Sequence, residues 1–357
     1  MNSVFSSSYR LCREGFLTAV GATDFRLESL MMQLKGLEGE DLAMDVAIGG
    51  NEQSNNILVC FSGVHGAEGF AGSACQRYFL DKILPGSELG NVKIILVHGV
   101  NPYGFSYLRR TNENNVDMNR NFVDFSNLQP DDCDYKTLHK VLLTSEIPDA
   151  DVIEGPLGEY IAEEGSGKFQ EVLAKGQYSE NKGLFYGGDS AQWSRLTLEK
   201  LLKREMKDAE KVAFLDVHTG LGPEGYGELI FNGSPHSQSY QFSAEMFGED
   251  LKASQSGESV ATVSTGLIQH VFDFLDESCL FASTTLEYGT VDFANIVNAL
   301  RQECWHHFYG TDEHARAAVR QNMMSSFYIQ TPEWERAVIS RFSAVVDRVM
   351  ECMASEN

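Results

Sequence analysis

Asn56-Ile57-Leu58-Val59-Cys60-Phe61-Ser62-Gly63-Val64-His65-Gly66-Ala67-Glu68-Gly69-Phe70 is the stretch on which the reading of the fold turns. Residues 56–60 are an apolar run of the length expected for a strand covered on both faces. Glycines 63, 66 and 69 bracket the loop that follows and permit a tight change of direction. In that loop His65 and Glu68 stand three residues apart. At this spacing an imidazole and a carboxylate can reach one point in space, as two of the three protein ligands of a catalytic zinc ion must. His-x-x-Glu is a short pattern, matched more often by a loop histidine and a surface acid that never meet. Its weight depends on what stands elsewhere in the chain.

Working outward, residues 42–48 with the turn Gly49-Gly50-Asn51 predict a strand leading into the first, while residues 8–35 read as helical or mixed. Apolar residues at helical spacing from Ala67 to Leu80 predict a helix that holds the loop against a sheet. Residues 93–97 predict the next buried strand, which runs into a loop marked by Asn101-Pro102 and Gly104. Residues 107–122 are polar and rich in asparagine and arginine. Residues 135–176 read as helices broken by Pro148, Pro156, Gly158 and Gly165–Gly167, and 189–210 as another helix. Residues 212–215 open a third buried strand that finishes in Asp216-Val217-His218-Thr219-Gly220. Short strands are predicted at 228–231, 260–265 and 281–286, the second leading into a helix-like stretch at 267–276. From Phe293 onward the pattern is helical, over 293–309, 311–326 and 332–354. Strands alternating with helices predict an α/β fold with a parallel or mixed sheet. No repeat or linker interrupts the chain, so a single domain is expected over residues 1–357, with the helices of 293–357 packed onto it.

In such sheets ligands bind beyond the carboxyl ends of the strands. His65 and Glu68, the asparagine- and arginine-rich loop, His218 and Glu287 all fall just past predicted strand ends. His218 is the natural third ligand, and Asp216, two residues earlier on the same face of its strand, can sit beside the imidazole. Glu287 closes an otherwise apolar or hydroxylic strand, where a carboxylate is costly unless it is paired or near a cation. Beside a water activated by a metal it would accept a proton and pass it to a leaving amine. Arg109, Arg110 and Arg120 offer guanidinium groups for a developing oxyanion or a substrate carboxylate, and at least one of them is expected only to offset nearby acids.

Other signals carry less. Gly220-Leu221-Gly222-Pro223-Glu224-Gly225 matches a dinucleotide-binding string, but Pro223 and the residues after it do not open a helix. His98 reads as core or as a neighbour of the site, and His306-His307 as packing or surface. Asp plus Glu outnumber Lys plus Arg by 51 to 28, giving a formal net charge of -23 and disfavouring nucleic-acid and anionic-membrane partners. The seven cysteines show no Cys-x-x-Cys pair, which argues against thiolate zinc sites and suits a reducing compartment. With no secretory leader or membrane-length apolar run, a cytoplasmic setting is expected.

Taken in order, His65-Gly66-Ala67-Glu68-Gly69, Asn101-Pro102-Tyr103-Gly104, Asp117-Met118-Asn119-Arg120-Asn121-Phe122, Asp216-Val217-His218-Thr219-Gly220 and Glu287 resemble the zinc carboxypeptidase superfamily. That superfamily includes murein-peptide amidases and, more distantly, the succinylglutamate desuccinylase and aspartoacylase group, and the chain is most similar to an uncharacterised bacterial branch of it. The resemblance spans roughly residues 56–290 and is most specific over Arg110–Phe122. It implies a mixed, mostly parallel sheet flanked by helices. It implies one zinc ion per chain held by His65, Glu68 and His218, with Asp117 orienting His65. Arg110 would polarise the scissile carbonyl, Asn119 and Arg120 would hold a substrate carboxylate, and Glu287 would act as general base and acid. A substrate-side tyrosine is also implied, for which Tyr240 and Tyr288 are the candidates. The segment 123–210 is longer than in digestive-type members. The expected activity is hydrolysis of an amide bond in a small or cell-wall-type peptide, with deacylation of an N-acyl amino acid and a non-catalytic metal-binding role as alternatives.

Overall fold

Helix α1 (Tyr9–Gly21) begins at Ser8, whose hydroxyl accepts from the Leu11 amide, and leads to strands β1 (Arg26–Lys35) and β2 (Asp41–Gly50). These and all later elements come from a computed structural model that describes residues 3–87, 89–143 and 155–354. Next come β3 (Asn56–Ser62), α2 (Gly69–Tyr78), β4 (Lys93–His98) and the short α3 (Pro102–Tyr107). Four helices follow before the next strand: α4 (Cys133–Leu142), α5 (Pro156–Glu164), α6 (Ser166–Ala174) and α7 (Trp193–Glu205). The chain continues through β5 (Lys211–Glu224), β6 (Gly227–Phe231), α8 (Gln238–Phe247), β7 (Lys252–Ala253) and β8 (Leu280–Gly289). It finishes with α9 (Phe293–Phe308), α10 (Glu313–Phe327) and α11 (Pro332–Ala354).

The eight strands form one sheet in the order β1-β2-β4-β3-β5-β8-β6-β7. Its centre, β4-β3-β5-β8, is parallel, with antiparallel pairs toward both edges and a last parallel pair, β6 with β7. This is the mixed, mostly parallel α/β sheet flanked by helices.

Strand alternation decides what each face carries. On β3, Leu58 and Cys60 join a core built with Phe16 of α1, Phe70 and Ala74 of α2, and Trp334, Val338 and Phe342 of α11. Ile57, Val59 and Phe61 turn to the other face, against Leu198 and Leu201 of α7 and Phe272. On β5, Ala213, Leu215 and Val217 belong to the first core and Val212 and Phe214 to the second. Asp216 and His218 continue the parity of Val212 and Phe214, so they emerge on the α7 side. A third cluster, from Tyr135 and Leu138 of α4, Phe169 of α6, Leu300 of α9 and Phe327 of α10, roofs the carboxyl ends of the central strands.

Several boundaries differ from expectation. Residues 26–35 form a full edge strand, and β5 and β8 run past their predicted ends to Glu224 and Gly289. His218 and Glu287 therefore lie within paired strands rather than beyond them. Residues 260–265 are not a strand. There Val260 N donates to the Glu228 carboxylate and Thr265 N to Lys175 O, so no ladder partner remains. The Asn101-Pro102 turn begins a helix, capped by the Asn101 side chain on Gly104 N with proline in the first turn. Gly158 lies inside α5, whose break comes at Gly165 (φ 88°), and the break expected at Pro148 falls outside the described residues. Among the described residues no helix is long and apolar enough to cross a membrane.

Candidate metal centre

The loop after β3 is shaped by contact with the chain beyond β4. At Gly66 a Cβ would lie 1.9 Å from the Gly104 carbonyl carbon and 2.1 Å from Phe105 N, so only glycine allows this approach. Ala67 N donates to Arg109 O at 2.9 Å, which ties the loop to the arginine-bearing segment. Residues 66–68 make one 3-10 turn, and this brings the side chains of His65 and Glu68 together.

Three side chains meet there. His65 Nδ1 lies 2.9 Å from Glu68 Oε1, His218 Nδ1 lies 2.9 Å from Glu68 Oε2, and the two Nδ1 atoms are 3.2 Å apart. All three residues are buried. Each imidazole turns its other nitrogen to a carboxylate: His65 Nε2 to Asp117 Oδ1 at 3.0 Å, and His218 Nε2 to Asp216 Oδ2 at 2.6 Å. That outer pairing leaves both Nδ1 atoms facing the common point. Ligands 2.0–2.1 Å from a tetrahedral zinc ion stand about 3.3 Å apart, so these donors need only a small expansion to hold one. Two imidazoles and a carboxylate without thiolate are also the donor types of a catalytic zinc site. Among the described residues no other group of three His, Cys, Asp or Glu side chains converges in this way.

The charges around the point are interdependent. Burial works to raise Glu68, but His65 and His218 outweigh it and hold the carboxyl below its ordinary range. Burial likewise opposes the low value of Asp117, which Arg110 and His65 impose. His218 is raised well above an ordinary histidine because Asp216 and Glu68 outweigh its burial. Glu287 moves the other way: burial and the neighbouring Glu68 charge raise it to about 7. It stands directly across from His218 in the β5–β8 register, and its Oε1 accepts from Leu221 N at 2.9 Å.

Arg110 donates through Nε to Asp117 Oδ2 at 2.8 Å and through Nη1 to Glu68 Oε1 at 3.2 Å. Its guanidinium lies 4.6 Å from the centre of the Phe185 ring. Asn119 and Arg120 line the same pocket, with the Asn119 Oδ1 and the Arg120 guanidinium engaged by the protein. Asn119 Oδ1 accepts from Ile268 N at 2.8 Å. Arg120 donates to Ala174 O through Nε and Nη2 and to Asn119 O through Nη1. Burial lowers Arg120 to about 10. Arg109 stays apart from the centre, pairing with Glu303 at 2.6 Å, and so fills the charge-balancing role.

The two candidate tyrosines are not in the pocket. Tyr288 is buried on the α11 side of the sheet with its hydroxyl on Val338 O, and Tyr240 donates to Leu251 O. Glu287 and Tyr288 point to opposite faces because they are adjacent on one strand. His98 is a core residue, stacked on Phe16 and bonded to Ser73 Oγ, and His307 lies against Arg109.

The pocket also has walls that the sequence reading missed. Phe293, Ile296, Val297 and Leu300 of α9 and Phe327 of α10 form an apolar side, and Ile230, Asn232, Thr262 and Thr285 also line the pocket. The α9 spacing reads as an ordinary core stripe, so nothing in it distinguished a pocket wall from packing. Phe185 takes φ 53°, an unusual left-handed conformation for a non-glycine residue, and only the fold reveals the arginine above its ring.

A family model described as "Protein of unknown function (DUF2817)" matches residues 5–341. No curated protein matches the sequence. Among solved structures, bovine thrombin-activatable fibrinolysis inhibitor in complex with tick carboxypeptidase inhibitor is similar at 13% identity and a TM-score of 0.48, over 91% of this chain and 98% of that one. Carboxypeptidase A from Helicoverpa armigera is similar at 13% identity and a TM-score of 0.49, over 90% and 74% of the two chains. Succinylglutamate desuccinylase from Chromobacterium violaceum is similar at 13% identity and a TM-score of 0.44, over 96% and 73%.

Proposed function

Since the chain belongs to the family described as "Protein of unknown function (DUF2817)", its chemistry has to be argued from its own residues, and we propose that it is a zinc-dependent hydrolase of an amide bond. The observation that carries this reading is the meeting of His65 Nδ1, Glu68 and His218 Nδ1 within 2.9–3.2 Å, each imidazole backed by a carboxylate. These three residues would hold one zinc ion per chain. When bound, the ion supplies Lewis acidity toward the scissile carbonyl and lowers the pKa of water at its open position.

The chain's own residues supply the rest. Glu287 is the general base: Leu221 N fixes Oε1, which leaves Oε2 to take the proton of the attacking water and return it to the departing nitrogen. Burial, which raises its proton affinity, suits both halves of that transfer. Arg110, clamped by Asp117 and stacked on Phe185, presents a fixed positive charge to the oxygen on which negative charge develops. Asn119 and Arg120 would receive a substrate carboxylate. A carboxylate makes stronger bonds to Arg120 than the main-chain carbonyls that now accept from it.

A carboxypeptidase acting on small or cell-wall-type peptides fits these roles. Removal of an acyl group from an amino acid is the second reading, because the same His65, Glu68 and His218 cluster and the same Glu287 would serve it. Glu287 and Arg110 beside the cluster support catalysis over mere metal binding. The test is hydrolysis of short peptides and N-acyl amino acids by zinc-loaded protein, with a chelated sample and the His218→Ala variant as controls. Activity that zinc restores and His218→Ala abolishes, together with its metal content, supports the reading. A rate indifferent to both sinks it. A rate that survives blocking of the substrate's α-carboxylate counts against the carboxypeptidase form.

A further inference from the structure

Two rows of side chains cross the pocket floor in register. The first reads His218 on β5, Glu287 on β8 and Glu228 on β6, and the second reads Asp216, Thr285 and Ile230. Strand alternation puts all six on the same face. Beyond the end of β6, Asn232 donates through Nδ2 to Thr285 Oγ1 at 3.1 Å. Thr262, from the loop opposite, brings a buried hydroxyl that has no hydrogen-bond partner among the described residues. Together Ile230, Asn232, Thr262 and Thr285 make a recess beside the catalytic groups.

The recess carries no charge. The ionisable groups that line the pocket are His65, Glu68, Arg110, Arg120, His218 and Glu287, all of them already placed in the metal cluster or the catalytic and carboxylate-binding roles around it. Of the other acids in the rows, Asp216, across from Thr285, is paired with His218 Nε2, and Glu228 is spent on Lys252 Nζ, Ser259 Oγ and Val260 N. What remains is neutral and polar. Thr285 accepts from Asn232 and so keeps its proton to donate, Asn232 Oδ1 can accept, and Thr262 can do either.

We propose that this recess receives an uncharged, hydrogen-bonding side chain of the substrate, one ending in a carboxamide or a hydroxyl, and rejects its acidic and basic counterparts. The inference rests on the hydrolase reading and names the substrate class for that site. A charged group there gives up its water without gaining a counter-charge. An apolar group leaves the hydroxyl of Thr262 and the Oδ1 of Asn232 unpaired, the case in which a polar site discriminates most.

The experiment uses the zinc-loaded full chain and two matched series, blocked dipeptides and N-acyl amino acids. In each, the variable residue is glutamine, glutamate, lysine or leucine. The expected kcat/KM for glutamine exceeds that for glutamate, lysine and leucine by at least about 10-fold. Thr285→Val, with zinc content and melting temperature as controls, brings glutamine down to the level of leucine, while Thr285→Ser keeps the preference. Asn232→Leu gives the same readout if Thr285→Val does not fold. Equal rates across a series, or faster cleavage of glutamate, lysine or leucine, overturn the recess assignment and leave the hydrolase standing. Failure to cleave any member overturns both.

Discussion

Asp117 grips two groups at once, taking His65 on Oδ1 and Arg110 on Oδ2, while its Oδ1 also accepts the Asn119 amide. One buried carboxylate thus fixes both the His65 ring and the Arg110 guanidinium. Replacing it by alanine is expected to weaken zinc binding by about 10–100-fold, the usual cost of removing the partner of a liganding histidine. Competition against a chelator of known affinity measures this, and an unchanged affinity would remove Asp117 from the centre. Glu287→Gln tests a different role: zinc should stay bound at one per chain while kcat falls by ~2–4 orders of magnitude. At this scale the sequence was informative where spacing is local. His65 and Glu68 share one turn, and His218 shares strand parity with Asp216. It was silent where contact is made by distant segments, as at Phe185 beneath Arg110 or Asn232 beside Thr285.

Among elements, the decisive contact is the loop after β3 against α3. Gly66→Ala places a methyl group against the Gly104 carbonyl carbon and the Phe105 amide, both main-chain atoms that cannot swing aside. The expected cost is about 1–3 kcal/mol, read from chemical denaturation, with weaker zinc binding because the same turn aims His65 and Glu68. Full stability and full affinity in this variant would show that the approach is not tight. Strand positions were legible because apolar runs of strand length stand out. Their ends were not, since the third buried strand reads as finishing at Gly220 although β5 continues to Glu224. The strand expected at 260–265 failed for a related reason: β-prone residues form a strand only where an edge is free to pair, and Glu228 takes the Val260 amide instead.

Over the whole molecule, proton and metal compete for the same nitrogens. The raised value of His218, imposed by Asp216 and Glu68 against burial, means that the metal-free protein keeps a proton there at neutral pH. The ion requires the neutral ring, so zinc uptake should release that proton, and affinity should climb roughly tenfold per pH unit until the pH passes the elevated value of His218. Zinc titrations across pH measure the slope, and a flat profile contradicts it. The final helix bears on global stability. Trp334, Val338, Phe342, Val345 and Val349 are buried along one stripe of α11, each contributing about 1.5–3 kcal/mol. Their sum is comparable to the entire stability of a typical domain, so a chain ending before Pro332 should lack a cooperative unfolding transition by circular dichroism. A cooperative transition in that truncated chain would show that α11 is dispensable. The α/β class could be read from strands alternating with helices, whereas the order β1-β2-β4-β3-β5-β8-β6-β7 depends on pairings between distant segments that no local pattern encodes.

The clustered polar groups ride on the loops and strands of the parallel centre, while one wall of the pocket around them belongs to helices that precede β5 and follow β8. Changes in α6, α9 or α10 can therefore reshape what the pocket admits while leaving the His65, Glu68 and His218 cluster in place.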